Sequence, residues 1–168
     1  MRKVGAADGE DLESGTARLS PRRRRPGPRA AMLRRMPHDI RALTFDIFGT
    51  VVDWYGTIAA EVARIGLATD GGRFALDWRA GYQPAMQEVR SGALPWTNID
   101  GLHRRTLERL LAARGIALPE AEVAALNRVW HRLDPWPDSA TGLAQLKPHF
   151  VLAMLSNGNL SLLVDLAR

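Results

Sequence analysis

Two short apolar runs, each ending in a polar turn, constrain this chain most. The first, "IRALTF" at residues 40–45, stops at Asp46 and turns at Gly49 and Thr50. The second, within "HFVLAMLSNGN" at residues 149–159, stops at Ser156-Asn157-Gly158-Asn159. Both have the length and composition of strands, and the first reads as a buried strand. Between them lies a helical block of roughly 80 residues, so the two strands are joined by crossovers. Strands separated by helices imply an α/β fold with a parallel sheet. Ligands in such sheets bind beyond the carboxyl ends of the strands. Adjacent parallel strands lie ~4.8 Å apart, so Asp46 and the Ser-Asn-Gly turn can face one pocket.

The block itself reads as a series of helices. "WYGTIAAEVARIGL" spaces Ile58, Val62 and Ile65 at helical intervals. "RFALDWRAGYQPAMQEVRSG" is helical at both ends, with Pro84 placed to kink it. "NIDGLHRRTLERLLAARGI" puts Leu102, Leu107, Leu110 and Leu111 on one face and stops at Gly115. "LPEAEVAALNRVWHRL" starts near Pro119 and runs as a helix to Leu133, where "DPWPD" breaks the chain. "SATGLAQLK" and "LSLLVDLAR" are short helices flanking the second strand.

Composition enters through charge. The chain of 168 residues carries a formal net charge of +5. Residues 1–38 hold ten Lys or Arg against four Asp or Glu, a balance of +6, so the remainder is at −1. The basicity belongs to a tail that includes "SPRRRRPGPRAAMLRRMP" and lacks hydrophobic periodicity. That tail is expected to be disordered and solvated. Translation starting at Met32 or Met36 is a further plain reading of it. Arg22 to Arg25 could serve an anionic surface or nucleic acid, but nucleic acid is not the expected partner of the near-neutral folded part. Asp8, Glu10, Asp11 and Glu13 argue against a targeting peptide. There is no cysteine, which excludes disulfides and thiolate metal sites. No apolar run approaches the ~20 residues that span a bilayer, and the default expectation is a cytoplasmic protein without a membrane partner.

A carboxylate at a strand end above a tight glycine turn can act as a nucleophile, with turn N–H groups binding an anion beside it. The hydroxyls of Thr50 and Ser156 could hold Asp46 ionised and aimed. Asp46 could equally cap a turn, since aspartate after a strand is common. "DIFGT" alone leaves both readings open, and "LSNGN" at a second strand end favours the functional one. By the same standard His103 and His131 look like isolated helix residues, and Trp54, Trp96, Trp130 and Trp136 look like packing residues, some of which could line a pocket.

"FDIFGTVVDW" and "LAMLSNGN" resemble the first two motifs of the haloacid dehalogenase superfamily. "DWRAGYQPAM", "WHRLDPWPDS" and "GLAQLK" resemble its type II 2-haloacid dehalogenase branch. The resemblance runs from about Ile40 to Arg168. It implies a Rossmann-like core at 39–53 and 137–168, incomplete here, with an α-helical cap inserted at 54–136. It also implies a reaction on a small 2-haloacid substrate. Asp46 would displace halide from C2, and water would then hydrolyse the aspartyl ester to a 2-hydroxy acid. By position, Arg79 and Asn157 match residues on the halide side. Ser156 and the N–H groups of Ile47 and Phe48 match the site for the substrate carboxylate, and Thr50 matches a residue that steadies the nucleophile. Read without the resemblance, Arg79 is an ordinary solvated helix arginine. No cofactor and no metal are implied, and the family's dimers make a homodimer an expectation.

The residue two places after the nucleophile carries the sharpest distinction. Phosphatases of the superfamily have an aspartate there, which protonates a leaving alkoxide; this chain has Phe48. Halide leaves as a stable anion and needs no proton. A phosphatase or phosphonatase-like hydrolase is therefore the second reading, and a non-catalytic fragment or basic-tailed binding module the third. Two departures accompany the resemblance. The family's later lysine and acidic pair have no counterpart, Lys147 being the only lysine after Asp46, so little turnover is expected of this polypeptide alone. Tyr82 also lies only three residues past Arg79, nearer than the family's tyrosine, with Pro84 intervening.

Overall fold

The structure, a computed structural model, describes residues 40–168. The expectations for residues 1–38 lie outside the described residues.

Strand β1 (Ala42–Phe45) pairs in parallel with β4 (Val151–Met154), in the register Ala42 to Val151 and Phe45 to Met154. The mixed α/β architecture and the parallel pairing of the two apolar runs are as the sequence implies. A second ladder is antiparallel: β2 (Val52–Asp53) pairs with β3 (Asp134–Pro135). These two-residue strands carry no periodicity that sequence patterning can detect, and they staple the two ends of the helical block together.

That block comprises α1 (Trp54–Arg64), α2 (Gly71–Ala80), α3 (Tyr82–Arg90), α4 (Ile99–Ala113), α5 (Glu120–Asn127) and a 3-10 turn (Arg128–Arg132). Helices α6 (Ser139–Leu146) and α7 (Leu160–Leu166) flank β4. Side chains cap the N-termini of α1, α2 and α4, each satisfying one free N–H group. Asp53 accepts from Gly56 N at 2.8 Å, and Asn98 accepts from Gly101 N at 2.9 Å. Two expectations are corrected. The break in the Arg79 region falls at Gly81, between α2 and α3. Pro84 instead sits in the first turn of α3, where its missing N–H costs nothing. The helix that starts at Glu120 does not continue to Leu133 as one α-helix but tightens to 3-10 geometry at Arg128.

The core lies in the helical block. Ile58, Val62, Phe74, Trp78, Leu102, Leu107, Leu126 and Trp130 are fully buried there, with α1 on α2 and α4 between α3 and α5. Glu61 is buried too, but Arg64 and Arg132 each donate to it, Arg64 at 2.7 Å. Those bonds hold its carboxyl below the usual carboxylate range and tie α1 to the 3-10 turn. The sheet is different, and here the expectation of a buried strand is overturned. Ala42, Thr44, Val151 and Ala153 are exposed, and their neighbours are only half-buried. Among the described residues β1 and β4 have no further strand beside them, so the outer edge of each is unpaired, and alternate residues of both face solvent.

Candidate active site

The site forms where β1 and β4 end. Leu155 N donates to Phe45 O at 2.8 Å, extending the ladder one step and placing Ser156 beside Asp46. The Asp46 turn is then closed by its own backbone. Ile47 O accepts from the N–H groups of Thr50, Val51 and Val52, and Gly49 N donates to Val52 O at 2.9 Å. Gly49 has φ +91°, a conformation that disfavours side chains, and a Cβ there would come within 3.2 Å of the Trp54 ring. Trp136 pins the turn from outside, its indole Nε1 donating to Gly49 O at 3.1 Å.

Both oxygens of Asp46 are held. Ser156 Oγ donates to Oδ1 at 2.7 Å, and Thr50 Oγ1 donates to Oδ2 at 3.2 Å. Ser156 Oγ in turn accepts from Ile47 N at 2.7 Å. That bond engages the Ile47 amide in orienting the serine, so it is not a free donor for a substrate carboxylate, as the sequence had suggested. The Ile47 side chain is part of the buried core.

The exposed carboxylate opens onto a cavity of about 90 Å³. Four of the expected residues line it: Asp46, Phe48, Arg79 and Asn157. Thr50 and Ser156 stand behind Asp46 through the bonds just given. Of the residues picked out from the sequence, all but Ile47, whose side chain faces the core, thus converge on one place. Arg79 reaches it from the C-terminal turn of α2, its guanidinium lying over the Tyr82 ring at 5.0 Å, a cation–π distance.

The far wall consists of Tyr82, Ile99, His103 and Trp130, none of them among the site residues picked out from the sequence. Trp130 is its centre. His103 stacks on it at 4.2 Å, while Phe48 and Trp78 meet it edge-on at 6.0 and 5.6 Å. Burial pushes the His103 imidazole down to about 3, and nearby Arg79 and His131 push the same way while Asp100 opposes them. His103 is therefore neutral near neutral pH. Its position on α4 looked isolated because its partners lie in other elements. The same holds for His131, which bridges Asp100 at 2.9 Å and Asp165 at 2.8 Å. Asn159 also donates to Asp100, at 2.8 Å. This latch joins α4 and the 3-10 turn to α7 and to the turn carrying Asn157. Of the tryptophans, Trp96 departs furthest from the packing expectation, at 84% exposure, and Trp136 is exposed as well.

No family model matches the chain. An (S)-2-haloacid dehalogenase from Xanthobacter autotrophicus is 29% identical over 119 residues, which are 71% of this chain and 46% of that protein. Among solved structures, an L-2-haloacid dehalogenase superposes with a TM-score of 0.70 at 42% identity, over 75% of this chain and 56% of its own. A defluorinating L-2-haloacid dehalogenase gives 0.70 at 45% identity, over 76% and 55%. The Xanthobacter autotrophicus L-2-haloacid dehalogenase with chloropropionic acid covalently bound gives 0.65 at 26%, over 76% and 51%. In sequence and in fold the relatives of this chain are thus L-2-haloacid dehalogenases of the haloacid dehalogenase superfamily, and it spans about half the length of each.

Proposed function

We propose that this site performs hydrolytic dehalogenation of L-2-haloalkanoic acids, with Asp46 as the nucleophile. The observation that carries the reading is the Asp46 carboxylate itself, held by Ser156 and Thr50 and opening onto a cavity shared with Arg79 and Asn157. A fixed carboxylate facing a fixed cation suits an attack in which negative charge moves from oxygen to the departing group. A carboxylate oxygen of Asp46 bonds to C2 as the carbon–halogen bond breaks, and the halogen leaves with the electron pair. The Arg79 guanidinium and the Asn157 amide stabilise the halide. The substrate carboxylate is left to the Phe48 amide of the turn, since the Ser156 hydroxyl hydrogen is committed to Asp46. Hydrolysis of the resulting ester would return Asp46 and yield the 2-hydroxy acid. No step calls for an acid at position 48, where Phe48 lines the cavity instead, and this disfavours phosphoester hydrolysis. The covalent adduct named for one Xanthobacter autotrophicus structure supports an ester route.

The test is direct. The protein is incubated with 2-bromopropionate or 2-chloropropionate, free halide is measured, and intact mass is recorded. Halide release with a propionate adduct mapping to Asp46, both lost in Asp46→Asn, is the expected result. Absence of halide release and adduct from the wild-type chain would overturn the reading.

A further inference from the structure

The wall opposite Asp46 contains an anomaly. Buried polar atoms are nearly always hydrogen-bonded, and those that are not need an explanation. Tyr82 Oη and His103 Nδ1 are both buried without a partner among the described residues, and so is Trp130 Nε1. All three side chains line the same cavity, which also holds Arg79 and Asp46. His103 is 6% exposed and Tyr82 7%. Their rings are fixed from both sides, His103 stacked on Trp130 and Tyr82 lying under the Arg79 guanidinium. Neither is free to turn to solvent for a partner, and leaving such groups unpaired destabilises the protein unless a ligand completes them.

We propose that Tyr82 and His103 complete the halide seat beside Arg79, donating hydrogen bonds to the departing halide and so setting which leaving group the site prefers. The inference rests on the dehalogenase reading and assigns residues that reading does not use. Two features favour this role over proton transfer. The imidazole is held neutral by burial and by Arg79, so it donates as a dipole and adds no second cation to compete for Asp46. The halogen also leaves with both bonding electrons and needs no proton. Tyr82 and His103 keep theirs throughout, and the bonds they make strengthen as charge builds on the halogen. That is the condition for speeding the step and not merely binding substrate. Chloride is a poorer leaving group than bromide and concentrates its charge more, so it gains more from such donors.

The experiment compares Tyr82→Phe and His103→Phe with wild type in single-turnover halide release from 2-chloropropionate and 2-bromopropionate. Each variant keeps an aromatic ring in place, and Tyr82→Phe removes a single oxygen atom. The expected result is a loss of roughly tenfold or more with the chloro acid and a clearly smaller loss with the bromo acid. His103→Gln, which retains a donor, should recover part of the chloro rate. Equal losses on both substrates, or none, would overturn the proposal, since a merely structural role has no reason to distinguish halogens. If His103→Phe does not fold, Tyr82→Phe alone decides it by the same ratio. Wild-type halide release with an adduct on Asp46 in the same assay separates failure of this inference from failure of the dehalogenase reading.

Discussion

The two sides of the cavity are built on opposite principles. The side that carries Asp46 is polar, exposed and shaped by hydrogen bonds. Its strands lie in the open, with Val151 at 66% exposure and Leu155 at 70%. The opposite side is core, with Trp130 at 2% exposure and Trp78 at 1%. The Asp46 carboxylate can thus be aimed by a few short bonds that contribute little to folding. The shape of the space it faces comes from packing that the fold cannot lose. The contrast predicts that substitutions on the wall disturb stability first, and that those around the carboxylate disturb chemistry first.

The largest effect belongs to the centre of the wall. Trp130 touches Phe48, Trp54, Trp78 and His103 at once. Trp130→Ala should cost about 3–5 kcal/mol, as truncation of fully buried tryptophans does. Urea denaturation followed by circular dichroism measures it. A loss below about 1 kcal/mol would show that the wall is not part of the core.

Acid should expose the same wall. The His103 imidazole is lowered to about 3, against an ordinary value of 6.5. As pH falls below 6.5 the unfolded chain takes up a proton that the folded chain refuses. Stability should therefore drop as pH falls from 6.5 toward 3, by about 1.4 kcal/mol per pH unit from this group. Subtracting the profile of His103→Phe from that of wild type isolates the contribution. Coincident profiles would mean that His103 is hydrated in solution.

This half of the site was the half the sequence could not show. Asp46 and Asn157 were legible because a strand followed by a polar turn has a pattern of its own, and the order of motifs placed both turns on one edge. Arg79 was legible only through resemblance. Tyr82, His103 and Trp130 could not be told from their neighbours, because a residue that lines a buried cavity has the helical spacing of one that fills a core. The His131 latch was invisible for a related reason, since Asp100 and Asp165 lie 31 and 34 residues away in sequence. The strands were misjudged in the other direction. "IRALTF" is apolar enough to be buried, yet whether neighbours cover it depends on elements that local pattern does not reveal.

The latch connects the two sides and should show an intermediate effect. The bond from His131 holds the Asp165 carboxyl below the usual carboxylate range. A depressed carboxylate stabilises the fold above its unfolded value, and that contribution is lost as pH falls below about 4. Asp165→Asn should flatten the acid limb there and lower the melting temperature by less than Trp130→Ala does. Because Asp165 is partly exposed, solvent screening limits the effect. An unchanged acid limb would leave the latch without a role in stability.

The smallest effects on stability should come from the two hydroxyls on Asp46, and they should differ from one another. Ser156 makes two bonds of 2.7 Å, one to Asp46 and one from the Ile47 amide. Ser156→Ala leaves that amide unpaired and should cost about 1 kcal/mol. It should slow adduct formation at Asp46 at least tenfold, because it frees the carboxylate to rotate away from C2. Thr50 makes one exposed bond of 3.2 Å, to the other oxygen. Thr50→Val should stay within about 0.5 kcal/mol of wild type and slow adduct formation less than Ser156→Ala. Urea titration and adduct rates on the same preparations give both numbers. If Thr50→Val destabilised the protein as much as Trp130→Ala, the Asp46 turn would be part of the core after all, and the division between an aimed carboxylate and a packed wall would fail. If it slowed the reaction more than Ser156→Ala, Oδ2 and not Oδ1 would be the oxygen whose restraint sets the attack.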